Sequence, residues 1–199
     1  MFKINHKSTN SLARQGTLTT LHGEIDTPCF YPDATYGAVK FLSPEDLNSI
    51  GLQMVLGNVY HLGLRPGPKT IKEFGGLHKF MNWDKPILTD SGGFQAFSLV
   101  HRNKMGEVLE EGVLFYDHLS GSKHLLTPEL SISMQLDMGS DILMAFDDCI
   151  FAGEDNATNL KSVELTTKWG KLSKETFLTK TAESKEKPLL FGIVQGGKD

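Results

Sequence analysis

The sequence predicts a parallel α/β fold of the (β/α)-barrel kind, with a small antiparallel β cap at its start and an inserted β-hairpin. Three observations carry this expectation. Short apolar runs bounded by turn residues alternate with helical segments, as in a parallel sheet with helices packed outside it. Four of these runs end in a polar residue, at Asn58, Asp90, Asp147 and Gln195, and barrel enzymes gather their chemistry at such strand tips. A doubly wound sheet has the same alternation but collects its ligand groups at one switch point. The long gap between Asp90 and Asp147 is taken up by a stretch of hairpin character over about 101–126.

Taken in order, residues 16–28 alternate Thr and apolar side chains around His22-Gly23, the pattern of an antiparallel unit. Residues 1–27 are therefore assigned to the cap. Cys29-Phe-Tyr-Pro is the first candidate barrel strand. Ser43 followed by Pro44 starts a helix as N-cap and first helical residue, and Gly51 can end it. Residues 53–58 form the next strand. A short helix opens at the prolines of 66–68 and closes at Gly75-Gly76, and 86–90 is the third strand. After the hairpin, Thr127-Pro-Glu restarts a helix; its body, 130–138, alternates with period two, but the cap and the closing Gly139 decide for helix. Strand 141–147, a helix over about 156–177 and strand 189–195 complete the chain. A full barrel takes about 250 residues, so 28–199 reads as the first five β/α units of a single incomplete domain, 1–199.

Composition narrows the class. The chain has 199 residues, 39% hydrophobic and 22% charged, the profile of a globular protein with a buried core. No apolar run approaches the roughly 20 residues that cross a bilayer, and the first residues lack a secretory h-region, so a cytoplasmic protein without membrane contact is expected. The two cysteines, Cys29 and Cys149, form no Cys-x-x-Cys pair, which speaks against a disulfide framework or a zinc site built from them. His118 and His124 flank a Gly-Ser turn, read as a solvated hairpin rather than a metal site. A net charge of −4 gives no overall electrostatic pull on nucleic acid.

Three segments carry chemistry. In Thr89-Asp90-Ser91-Gly92-Gly93-Phe94-Gln95 an apolar strand runs into a carboxylate, a hydroxyl, two glycines and an aromatic. The glycines let backbone approach a flat ligand, on which Phe94 can stack; the plainer reading is a helix cap with a glycine turn. Phe146-Asp147-Asp148-Cys149 puts two carboxylates at a strand end, pointing opposite ways, so one faces the site. A carboxylate suits guanine, whose N1–H and 2-amino group are neighbouring donors. In Val194-Gln195-Gly196-Gly197 an amide can donate to guanine O6 beside glycines that leave room for a planar base.

Together these segments resemble the tRNA-guanine transglycosylase family, from Gly16 to Gly197. The most specific stretches are residues 56–67, 75–95, 117–124 and 144–149. The resemblance implies a (β/α)8 barrel of TIM type, here incomplete, and exchange of the wobble guanine of tRNA for a 7-deazaguanine (queuine or its 7-aminomethyl precursor) in queuosine biosynthesis. It implies a double displacement in which an aspartate attacks the ribose, as in retaining glycosidases. Asp90 matches the family's general acid/base. Ser91, Gly92 and Gly93 match the lining of the base pocket and Phe94 the stacking aromatic; Asp147 matches the reader of the donor edge and Gln195 the contact to O6, with Gly196 beside it. The target nucleotide has to leave its stack to reach them. Further implications are a bacterial-type enzyme, a homodimer at full length, and a structural zinc. The nucleophilic aspartate and the zinc ligands of the family find no counterpart here and are expected beyond residue 199. The chain thus reads as a truncated form, inactive alone and without a cofactor of its own. Two other readings stay open: a non-catalytic purine- or tRNA-binding partner subunit, and an unrelated barrel enzyme that pairs Asp90 with Asp147.

Overall fold

The computed structural model describes residues 1–102, 105–151 and 153–196. The chain opens with three strands, β1 (Phe2–Lys7), β2 (Arg14–Thr20) and β3 (Gly23–Thr27), joined as an antiparallel sheet in that order. This is the expected cap, with β1 added to it. The next strand, β4, is Asp33–Ala34, not Cys29-Phe-Tyr-Pro. Proline has no amide hydrogen to give a ladder, and pairing begins only where the Pro32 carbonyl accepts from Leu56.

Helix α1 (Pro44–Ser49) starts as expected, with a full capping box between Ser43 and Asp46. Then come β5 (Val55–Gly57), α2 (Val59–Leu64), α3 (Pro68–Glu73), α4 (Leu77–Met81), β6 (Ile87–Thr89) and α5 (Gly93–Phe97), followed by a π-helical turn at Ser98–Arg102. Helices α2 and α4 have only six and five residues, too short to show a periodicity in the sequence. The expected hairpin is a three-stranded antiparallel sheet of β7 (Gly106–Val108), β8 (Val113–Tyr116) and β9 (Lys123–Leu126). Residues 103 and 104 of the expected insert lie outside the described residues. Helix α6 (Pro128–Met138), strand β10 (Ile142–Met144), helix α7 (Asn156–Lys180) and strand β11 (Leu189–Phe191) follow. Thr127 caps α6 by accepting from the Leu130 amide, so the helix signal prevails over the period-two body.

The main sheet has the order β11-β10-β6-β5-β4, each pairing parallel, so sequence neighbours are spatial neighbours throughout. Register puts Leu56, Leu88, Ile142 and Leu189 side by side. Alternation along a strand turns these four to one face, where they meet Ile25 and Leu18 of the cap and Met54. Fully burying one such aliphatic side chain stabilises by roughly 1.5–3 kcal/mol. Val55 and Ile87 point the other way, into a core with Leu47, Val59, Leu62, Ile71, Leu77 and Trp83 of the helical side, and Leu143 packs with Ile132 and Phe177.

The cap is tied to the start of β10 by a buried carboxylate. Asp141 is wholly buried and accepts from the His22 amide at 2.9 Å and the Ile87 amide at 2.9 Å. The His22 and His78 rings lie 2.9 and 3.1 Å from its two oxygens and stack on each other, centroids 3.6 Å apart. Burial pushes the Asp141 carboxyl up, but the bonds from His78, the Ile87 amide and His22 outweigh it and hold it below the usual range.

Candidate active site

The C-terminal ends of β5, β6 and β10 and the segment after β11 bring most of the expected residues together. Asn58 ends β5 and caps α2, its Oδ1 accepting from the His61 amide at 3.0 Å. Its Nδ2 donates to Asp90 Oδ2 at 2.5 Å. Asp90 Oδ1 accepts from the amides of Val59 at 2.9 Å and Gly92 at 3.2 Å. Burial raises the Asp90 carboxyl to about 6, against the opposing pull of those two amides. A carboxyl at that value exchanges a proton readily near neutral pH.

Gly92 adopts φ 82°, a left-handed turn that favours glycine. Gly93 has another reason to be glycine: a Cβ there would sit 2.6 Å from Asp147 Oδ1 and 3.0 Å from the Asp147 carbonyl. The turn therefore lies directly against the second carboxylate. Ser91 Oγ donates to Asp147 Oδ1 at 3.3 Å, and the Gly93 amide donates to Ser91 Oγ at 3.2 Å. Gln195 Nε2 donates to Asp147 Oδ2 at 2.9 Å. Asp147 is 8% exposed; burial raises its carboxyl, and Gln195 and Ser91 pull it back only in part. Phe94 sits at the start of α5 and is 57% exposed. Gly196 follows Gln195 with φ 137°; Gly197 lies outside the described residues.

The segment after β10 is not strand, yet it is held firmly. Ala145 donates to the Phe191 carbonyl. Side chains of α7 take the remaining groups: Ser173 Oγ accepts from the Phe146 amide at 3.2 Å, Thr166 Oγ1 from the Asp148 amide at 3.0 Å, and Ser162 Oγ donates to the Asp148 carbonyl at 2.6 Å. Asp147 thus projects from a backbone pinned on both sides. Asp148 lines a different cavity, with Val108, Leu109 and Lys168.

The structure adds residues that the sequence reading passed over. The Tyr60 hydroxyl and His118 Nδ1 of the inserted sheet are 3.1 Å apart, and His61 packs edge-on to Tyr60. His61 Nδ1 is buried without a partner among the described residues, and burial, then His118, lowers its pKa. Tyr60 and His61 lie inside the distinctive stretch 56–67; only their ring contacts with each other and with His118 mark them. His124 bonds Asp117 at 2.8 Å instead of joining His118, so these two histidines serve different partners.

Among the described residues, one group could offer three donor atoms to a metal ion: His22, His78 and Asp141, all within 4.8 Å of one another. They precede β10, at the other end of the strands from Asp147, and one nitrogen of each ring, His22 Nδ1 and His78 Nε2, is engaged with the carboxylate. Cys29 packs on Met54 and Cys149 faces the Ile150 carbonyl; the two do not converge on a cysteine-rich zinc site.

Known proteins match this chain along nearly all of its length. The family model described as TGT, queuine tRNA-ribosyltransferase, matches residues 8–199. A queuine tRNA-ribosyltransferase of Halothermothrix orenii is 48% identical over 196 residues, 98% of this chain and 50% of the relative. One from Acetivibrio thermocellus is also 48% identical over the same share of both. One from Solidesulfovibrio magneticus is 50% identical over 185 residues, 93% of this chain and 48% of the relative. The chain spans about half the length of the curated relatives it matches.

Proposed function

The chain belongs to the queuine tRNA-ribosyltransferase family, and from that premise we propose that it builds the guanine-reading and proton-transferring side of a tRNA base-exchange site. The exchange replaces the wobble guanine with a 7-deazaguanine. The observation that supports this most directly is the pair of buried carboxylates on neighbouring strands, Asp90 after β6 and Asp147 after β10, linked through Ser91. Their surroundings differ enough to give them different work.

Asp147 reads the base. Its two oxygens accept from Ser91 and Gln195 in the free protein, so they are aimed to accept from neighbouring N–H donors such as N1–H and the 2-amino group of guanine. Gln195, beside it, supplies an amide to O6, and Gly196 leaves space for the ring. Phe94 stacks on the base, and Ser91, Gly92 and Gly93 form the floor. Asp90 handles the proton: it is neutral below about pH 6, so it can protonate a departing purine and accept the proton of an arriving one. The attack on the ribose is assigned to no residue of this chain. The sheet order supports a barrel of TIM type, with Leu56, Leu88, Ile142 and Leu189 facing its interior. On this reading residues 28–199 contribute five β/α units, and 1–27 closes the N-terminal end. A homodimer acting on tRNA in the cytoplasm belongs to the same reading and rests on the family resemblance. Among the described residues no helix is long and apolar enough to cross a membrane.

The test is Asp147→Ala in the protein at its full natural length, with guanine binding followed by calorimetry. Charge-assisted hydrogen bonds of this kind contribute about 1.5–3 kcal/mol, so guanine affinity should fall at least tenfold while the far-UV spectrum is kept. Unchanged affinity would remove Asp147 from the site.

A further inference from the structure

The strands that carry Asp90 and Asp147 stop pairing before they reach those residues. β6 and β10 are matched at Leu88 with Ile142 and at Thr89 with Leu143. The register pairs of β6 and β10 end there, while the Asp90 amide donates to the Gly57 carbonyl of β5 on the other side. A side chain braces the end of this ladder. Gln135 of α6 is wholly buried; its Oε1 accepts from the Met144 amide at 2.9 Å and its Nε2 donates to the Met144 carbonyl at 2.9 Å. The same oxygen accepts from Thr89 Oγ1 at 3.0 Å, and the same nitrogen donates to Ser131 Oγ at 3.2 Å. All four hydrogen-bonding places of the amide are filled. A carboxamide carries a donor and an acceptor as a peptide group does, so it can bond both the N–H and the C=O of one residue at the end of a ladder.

The chain of contacts continues into the site. Ser131 Oγ donates to the Ser91 carbonyl at 2.7 Å, and the Ser91 hydroxyl donates to Asp147. Gln135 thus acts on Asp147 from two directions, through the backbone three residues before it and through Ser91 beside it. We propose that Gln135 is a positioning residue for purine selection: its amide grips both backbone groups of Met144 at the end of the ladder and, through Ser131 and Ser91, fixes the direction of the Asp147 carboxylate in the gap that a flat base enters. This rests on the reading of Asp147 as the group that recognises guanine.

The experiment compares affinity for guanine with that for hypoxanthine, which lacks the 2-amino group, in the protein at its full natural length. Loss of one bond to a carboxylate predicts a wild-type preference for guanine of about tenfold or more. Gln135→Met keeps the side-chain length and removes all four bonds. Ser131→Ala cuts the link to Ser91 and leaves the amide on Met144. Thr89→Val removes the contacts with Gln135 Oε1 and Ser140 Oγ on the side away from Asp147 and reports simple destabilisation. The preference should drop at least about fivefold in Gln135→Met and about two- to threefold in Ser131→Ala. Thr89→Val should keep it, although all three unfold at lower temperature. An unchanged preference in Gln135→Met, or in Ser131→Ala should the first variant not fold, overturns the proposal; so does an equal drop in Thr89→Val. A wild-type protein that binds both purines alike overturns the assignment of Asp147 itself, and shows that outcome without any variant.

Discussion

Asp90 holds a conformation that serves chemistry against stability. Its carboxyl has an ordinary value of 3.8 and stands at about 6 when folded. A raised folded value means that the ionised form is disfavoured by folding, so the cost is absent below about pH 4. It grows as the pH rises from 4 to 6 and is complete above 6. Discounted for partial solvent access, the shift corresponds to about 1–2 kcal/mol. Asp90→Asn should therefore be more stable by about that much at pH 7.5 and no more stable at pH 3.5, in denaturant unfolding at the two values. The same change should slow base exchange by about 10²–10⁴-fold. An equal gain at both pH values would show that burial of the charge is not the cause. The turn itself was readable in the sequence, but not everything its glycines do. They were expected to admit a ligand; Gly93 also admits Asp147, a contact between segments that no local pattern announces.

Helices α6 and α7 show why side-chain chemistry facing the sheet is harder to read than helix position. Their starts follow from Thr127 and Asp155, whose side chains accept from Leu130 and Thr158, and both were placed correctly. What they present to the sheet is largely polar. The buried side of α7 runs through Ser162, Thr166, Trp169, Ser173 and Phe177, and α6 buries Ser131 and Gln135. An apolar stripe is the usual mark of a buried helical face; here hydroxyls and an amide interrupt it, among Ile132, Met138, Trp169 and Phe177, and satisfy backbone groups at and beyond the end of β10. Thr166→Val tests this. The swap keeps the shape and strands the Asp148 amide, and an unpaired buried donor costs about 1–3 kcal/mol. A loss in that range on denaturant unfolding, with weaker guanine binding, is expected. A variant as stable as the parent would mean that water satisfies the Asp148 amide.

At the level of the molecule, the order of the parallel strands was legible because each apolar run is short and separately punctuated, whereas the fastening of the cap was not. His22, His78 and Asp141 are far apart in sequence and belong to no motif; only the fold makes them a clasp. Asp141 has its carboxyl held below 3.8, the reverse of Asp90. Its contribution is complete above about pH 4 and is lost as the pH falls through the lowered folded value. Asp141→Ala should destabilise the protein by about 3 kcal/mol, since it strands the buried amide of Ile87 together with the His22 amide, and amides of β2 and β3 should exchange faster with solvent. Exchange in the cap at the parent rate would show that the apolar contacts of Ile25 and Leu18 hold it unaided. The clasp lies before β10 and Asp147, the proposed base-reading carboxylate, after it, six residues away along an extended chain, or about 20 Å. Changes separated by more than about 7–10 Å that share no partner combine additively. Alterations at the tips that redirect base choice are thus energetically independent of the fastened end. A lineage could lose stability in one place while exploring a new substrate and recover it in the other, which makes this architecture unusually open to evolutionary change in specificity.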